Sequence, residues 1–153
     1  MHPDAAPLGR AWIAAHIPHQ GNMCLLDAVL DWSPEFIRCE ASSHTHPENP
    51  LRAHGRLAAV CGIEYAAQAM AAHGAALQQP AQRPRVGYLA SVRKLDLRVA
   101  RLDDIAAPLL VEAHRISGSE NNILYAFEVS AAGQLLLAGR AAVILDVPLS
   151  PAA

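Results

Sequence analysis

The sequence predicts an α+β domain in which an antiparallel sheet wraps around one long apolar helix. Three observations carry this. Residues 57–77 form an Ala-rich, almost wholly apolar run between Gly55 and Pro80, the signature of a buried helix without a solvent face. Two strand-like runs joined by Ser33-Pro34-Glu35 precede it, and everything after Pro84 reads as strands separated by turn residues. One helix cannot cover two packed sheets, whereas a sheet curled around it buries it on nearly every side.

The elements follow in order. A short helix is predicted over residues 8–17, with Trp12, Ile13 and Ile17 as its apolar stripe and Pro18 as its stop. Strands are predicted at 23–32 and 36–42, then a loop at 44–56 with two prolines and three histidines. The central helix is placed at about 57–78, followed by a polar, proline-bearing connection at 78–84. Leu95, Leu97 and Val99 alternate with Lys94, Asp96 and Arg98, which predicts a half-buried strand with a charged solvent face. Runs at 109–117 and 123–130 flank the turn Gly118-Ser119-Glu120-Asn121-Asn122, and Gly133 marks a hairpin into 134–147. The tail 148–153 is expected to fray. All of 1–153 is taken as one domain.

Composition narrows the function. At 52 % hydrophobic and 17 % charged residues, the chain is apolar for a small monomer, so a second subunit is expected to cover part of its surface. A net charge of −2 with no basic stripe argues against nucleic-acid binding. The apolar run is near membrane-spanning length, but Gly62, Gly74, His73 and Glu64 interrupt it, and a mid-helix acid costs about 2.5–3.5 kcal/mol on insertion. No membrane span is expected. The start MHPDAAPLGR has no apolar signal-peptide core, so a cytoplasmic location is expected. Cys24, Cys39 and Cys61 are far apart and read as buried thiols. The eight histidines, including the pairs His44/His46 and His16/His19, lack further ligands at metal-site spacing, so no metal is expected.

The chemistry concentrates on Glu64. It is the one carboxylate on the apolar helix, with Gln68 four residues on and therefore on the same face. Desolvating a carboxylate costs several kcal/mol unless it stays neutral or finds specific hydrogen bonds, and either state suits acid–base work. A groove-facing or merely structural Glu64 is the plain alternative. His73 reads as a satisfied helix histidine and His114 as an outward strand residue. Arg52 and Arg56 are either phosphate-binding or ordinary surface.

Three motifs then carry a resemblance. Residues 17–29, IPHQGNMCLLDAV, resemble the opening of bacterial 3-hydroxyacyl-carrier-protein dehydratases, in which a Pro-His pair precedes an apolar strand. Ile63-Glu64-Tyr65-Ala66-Ala67-Gln68 resembles their central-helix motif, and residues 87–92, GYLASV, the start of their third strand. With the Gly55-Arg56-Leu57 entry to the helix, the chain most resembles the divergent dehydratase-like proteins of aryl-polyene gene clusters. The loop from His46 to Gly55 departs from the family pattern, lacking the glycine after its first proline.

The resemblance implies a hotdog fold and dehydration of 3-hydroxyacyl thioesters on acyl carrier protein. Glu64 would orient and protonate the 3-hydroxyl, and His46 would be the base, with His54 and His19 as alternatives. Backbone N–H groups of Gly55, Arg56 and Leu57 at a helix N-terminus would hold the thioester oxygen, and Gln68 would steady Glu64. No cofactor is implied beyond the carrier's phosphopantetheine. The implied partners are the carrier protein and a second hotdog subunit, as a homodimer or heterodimer. A hotdog thioesterase and a non-catalytic acyl-binding subunit of a heteromeric dehydratase are the alternatives. The enzymatic reading requires Glu64 to border an enclosed, apolar acyl channel.

Overall fold

The computed structural model of the protein describes residues 7–78, 87–119 and 121–145. In chain order these form β1 (Leu8–Gly9), α1 (Arg10–His16), β2 (Ala28–Ser33), β3 (Phe36–Ala41), α2 (Gly62–Leu77), β4 (Gly87–Leu97), β5 (Leu109–Gly118), β6 (Asn122–Ala131) and β7 (Gln134–Leu145). One antiparallel sheet runs in the order β1-β2-β3-β5-β6-β7-β4. The β6–β7 hairpin expected at Gly133 is present, with Ala131 opposite Gln134. Its two turn residues, Ala132 and Gly133, both have positive φ (50° and 78°), the twist that a two-residue hairpin favours. No helix among the described residues is long and apolar enough to cross a membrane. Expectations for the connection beyond Gln78, the turn residue Glu120, the end of the 134–147 run and the tail lie outside the described residues.

Several boundaries differ from expectation, each for a local reason. The first helix begins at Arg10 because Leu8 and Gly9 pair with Val29 and Ala28. The strand expected from residue 23 begins at Ala28. Before it, Met23 O and Leu25 N bond to the Gln68 side chain rather than to a neighbouring strand. The central helix begins five residues later than expected, at Gly62. Residues 57–61 are captured by the 100–103 segment: Ala59 N–H donates to Ala100 O (3.0 Å) and Leu57 N–H to Asp103 Oδ1 (2.9 Å). A 3₁₀ turn over Ala59–Cys61 then feeds the helix.

The core lies between α2 and the inner sheet face. Helix residues Tyr65, Ala66, Ala69 and Ala72 are fully buried with Ile37, Cys39, Val111, Ala113 and Val129. The helix packs chiefly on β2, β3, β5 and β6, so it covers about half of the sheet and is not surrounded by it. Its outward row, Ile63, Glu64, Ala67 and Ala71, stays half-buried. The alternating strand at 94–99 is also not half-buried. Its first four residues end β4, whose Leu95 and Leu97 are exposed because β4 is the edge strand beside β7 and the helix packs chiefly on other strands.

Candidate active site

Glu64 sits in the first turn of α2, on its outward row. Its carboxylate oxygen Oε1 lies 3.1 Å from His19 Nε2, with side chains 34 % and 25 % exposed respectively. Local structure explains the meeting. Pro18 ends α1, and the following segment is tied back to α1 by Gln20 Nε2 donating to Ala14 O (2.9 Å). Its far end is pinned to α2 by Gln68, which donates to Met23 O (2.7 Å) and accepts from Leu25 N–H (2.9 Å). Gln68 therefore positions the His19 segment. Its amide oxygen and an N–H are engaged there, and no hydrogen bond among the described residues joins it to Glu64. His19 Nδ1 is buried without a partner, so a neutral ring places its proton on Nε2, where Glu64 accepts it. The enclosed channel expected beside Glu64 is not formed by one subunit, because the carboxylate stands at its surface.

His46 lies elsewhere. It follows the 3₁₀ turn Ser43–Thr45, with its N–H donating to Ser43 O (3.1 Å). Its ring borders an open depression of about 240 Å³ with Arg10, Asp27, Ser42, Glu48 and Asn49. Its Nδ1 accepts the Glu48 N–H at 3.0 Å. The neutral ring then carries its proton on Nε2 and presents a donor there. No contact among the described residues joins His46 or His54 to Glu64. His54 (φ 53°) and Gly55 (φ 74°) form the exposed tip of a tight turn closed by Ala53 and Arg56.

The expected oxyanion donors are likewise spoken for. Arg56 N–H donates to Ala53 O (3.0 Å) and Leu57 N–H to Asp103, and the helix starts downstream. The Gly55 carbonyl accepts from Arg52 Nη2 (3.0 Å). Arg52 also lies 3.6 Å from Asp103, so it is structural, while the Arg56 side chain is exposed. Asp103 is a hub that sequence reasoning missed. Its buried carboxylate takes Arg101, the Leu57 N–H and Arg52, and the Arg101 hydrogen bonds hold its pKa well below the usual carboxylate range. The signal available was a charged cluster, Arg101-Leu102-Asp103-Asp104, within an apolar stretch.

Other titratable groups have structural partners. His44 is buried and Nε2 donates between Ile105 O (2.8 Å) and Ala107 O (3.1 Å). His73 is satisfied, as expected, by Ser33 O and the Tyr125 hydroxyl, both at 2.7 Å. His114 faces outward against Phe36. Burial pushes the Cys39 thiol up to about 12. No three His, Cys, Asp or Glu side chains among the described residues converge as metal ligands.

The fold is the hotdog arrangement, and the outward row of its central helix carries one acid, Glu64, against the imidazole of His19. A family model described as ApeP-like, ApeP dehydratase, matches residues 11–148. The chain belongs to this ApeP-like dehydratase family. Among solved structures it is similar to the dehydratase heterocomplex ApeI:P from Xenorhabdus doucetiae, with TM-score 0.79, 20 % identity, and coverage of 89 % of this chain and 91 % of that one. It is also similar to the thioesterase HI1161 from Haemophilus influenzae, with TM-score 0.60, 11 % identity, and coverage of 92 % and 86 %. At these identities the solved structures establish the fold alone. No curated protein matches the chain.

Proposed function

We propose that the protein dehydrates 3-hydroxyacyl thioesters presented on the phosphopantetheine arm of an acyl carrier protein, in aryl-polyene or fatty-acid-like synthesis. The observation that carries this is Glu64: the only ionisable group on the outward row of α2, held by His19 on one oxygen with no partner for the other among the described residues. The reaction removes a proton from C2, expels the C3 hydroxyl as water and leaves a C2–C3 double bond, with charge gathering on the thioester oxygen. The Glu64 oxygen that His19 does not hold suits acceptance of the C2 proton and its return to the departing hydroxyl, which restores the carboxylate as water leaves, while a neutral His46 Nε2–H suits a hydrogen bond to that hydroxyl. The resemblance implies His46 as the base instead. Within one chain the two do not meet, so His46 would come from a second hotdog subunit, which would also close the acyl channel. That subunit is another copy or a related chain, as the heterocomplex of the similar structure suggests. On this reading the protein works in the cytoplasm, without a cofactor of its own, and the exposure of Arg56 supports a role in meeting the carrier's phosphate.

The test is enoyl formation from a 3-hydroxyacyl thioester by the assembled protein. Glu64→Gln and His46→Ala should each slow it about 10²–10⁴-fold, the usual worth of a positioned acid or base. A variant within a fewfold of the parent removes its residue from the mechanism, and release of free thiol instead of enoyl product indicates a thioesterase. A second reading, a non-catalytic acyl-binding subunit, draws support from the separation of His46 from Glu64. It requires Glu64→Gln to leave the activity of the complex unchanged.

A further inference from the structure

Beside Glu64, the next helix residue points the opposite way into a buried hydrogen-bond network. The Tyr65 hydroxyl is fully buried, 2.7 Å from Ser43 Oγ and 3.1 Å from Asn49 Nδ2. Ser43 Oγ donates to Leu25 O (2.8 Å). Its single proton being spent there, the Tyr65 hydroxyl donates to Ser43 and accepts from Asn49. Asn49 also donates to Ser43 O (2.9 Å) and accepts from Leu51 N–H (2.9 Å). Ser43 O and Asn49 N–H in turn bond to the two backbone polar groups of His46, at 3.1 and 3.0 Å. The His46 backbone is thus fixed on both sides by residues that Tyr65 holds.

We infer that Tyr65 and Asn49 are positioning residues: through Ser43 they fix the His46 loop against α2, so that its ring keeps Nδ1 on the Glu48 N–H and presents Nε2–H outward. The use of that ring in dehydration rests on the function proposed above, whereas its anchoring does not. A Phe at 65 keeps the ring volume and removes only the hydroxyl, which leaves the apolar packing of the helix in place. The loop then loses its one side-chain tie to the interior of α2, and the His46 ring its fixed aim. Displacing a reacting group by about 1 Å can cost roughly 100-fold in rate.

The experiment pairs nitrogen NMR of histidine-labelled protein with kinetics. In the parent protein, neutral His46, assigned through His46→Gln, should show its proton on Nε2. In Tyr65→Phe the ring should populate both tautomers while the His73 signals stay unchanged, and kcat should fall about 10- to 100-fold with KM within about twofold. Ser43→Ala should reproduce both effects and Ser43→Thr, which keeps the hydroxyl, should restore both. Should Tyr65→Phe fail to fold, the Ser43 pair decides alone. An unchanged His46 tautomer in folded Tyr65→Phe or Ser43→Ala overturns the inference. A parent protein with no dehydratase activity in complex with any subunit defeats the proposed function instead, and the tautomer readout still decides the anchoring.

Discussion

At the scale of the residue, buried polar side chains on α2 act as fasteners. Gln68 is fully buried and binds one carbonyl and one N–H of the segment that carries His19. Replacing it with Met, similar in length, leaves Met23 O and Leu25 N–H unpaired in the interior, at about 1–3 kcal/mol for each orphaned group. The expected outcome is a lower urea midpoint for Gln68→Met together with weakened activity, since His19 loses its hold. His73 supplies a different lever. Burial, the largest cause, lowers its pKa below the ordinary 6.5, with the Arg115 charge acting the same way and the Ser33 hydrogen bond and Glu35 charge opposing. The folded ring therefore stays neutral where the unfolded chain already binds a proton, so the stability it contributes is complete above about pH 6.5 and drains away as pH falls below that value. Unfolding midpoints at about pH 7.5 and about pH 5.5 should differ by less in His73→Gln than in the parent. An equal difference in both would place the pH dependence elsewhere. The isolation of Glu64 on the central helix was legible in sequence, because an acid in an otherwise apolar run is conspicuous. Its partner His19 stood only among the alternatives, since Gln68 holds that segment against the helix across separations of 43 and 45 residues.

At the scale of the element, the central helix shows how packing sets boundaries that periodicity cannot. Apolar run length placed its start at about 57, but side-chain and loop hydrogen bonds take residues 57–61 away from it. The helix proper opens at Gly62, where a Cβ would lie 2.6 Å from Leu137 Cδ2 on β7. Gly62→Ala would gain at most roughly 1 kcal/mol of helix propensity. Overpacking against Leu137, which is fully buried and has little room to yield, costs typically about 1–3 kcal/mol. Net destabilisation is expected by thermal or urea unfolding. In a Leu137→Ala background the same substitution should stabilise, because the clash is gone and the propensity remains. Equal effects in both backgrounds would show that contact with Leu137 is not what selects glycine. Hairpins were the most legible elements, because turn residues such as Gly133 act locally. The exposure of β4 was hidden from the sequence, because alternation reports a face without saying whether anything covers it.

At the scale of the molecule, one subunit is unfinished. Leu89 faces Val143 and Leu97 faces the buried Leu137 across the β4–β7 ladder, so both lie on the inner sheet face, yet they are 41 % and 45 % exposed. Beside this uncovered half stand the half-buried apolar row of α2 and the unpaired edge of β4. A long, bare, apolar edge strand invites pairing with another chain, and fully burying a leucine is worth about 1.5–3 kcal/mol. The apolar composition raised the expectation of a covered surface. It did not locate that surface, because which half of a sheet its helix leaves bare is a tertiary matter. The expected state in solution is accordingly an assembly, with unfolding temperature rising with protein concentration. Leu97→Lys puts a charge on the inner face of the uncovered half, far in sequence from Glu64 and His19. It should give a folded monomer by sedimentation, with an unfolding temperature independent of concentration. Its dehydratase activity should be lost although the Glu64–His19 contact is intact, because no second subunit supplies His46 or walls off the thioester. A Leu97→Lys protein that sediments as a monomer and keeps the parent rate would show that a single chain holds the complete site, and would remove the two-subunit mechanism.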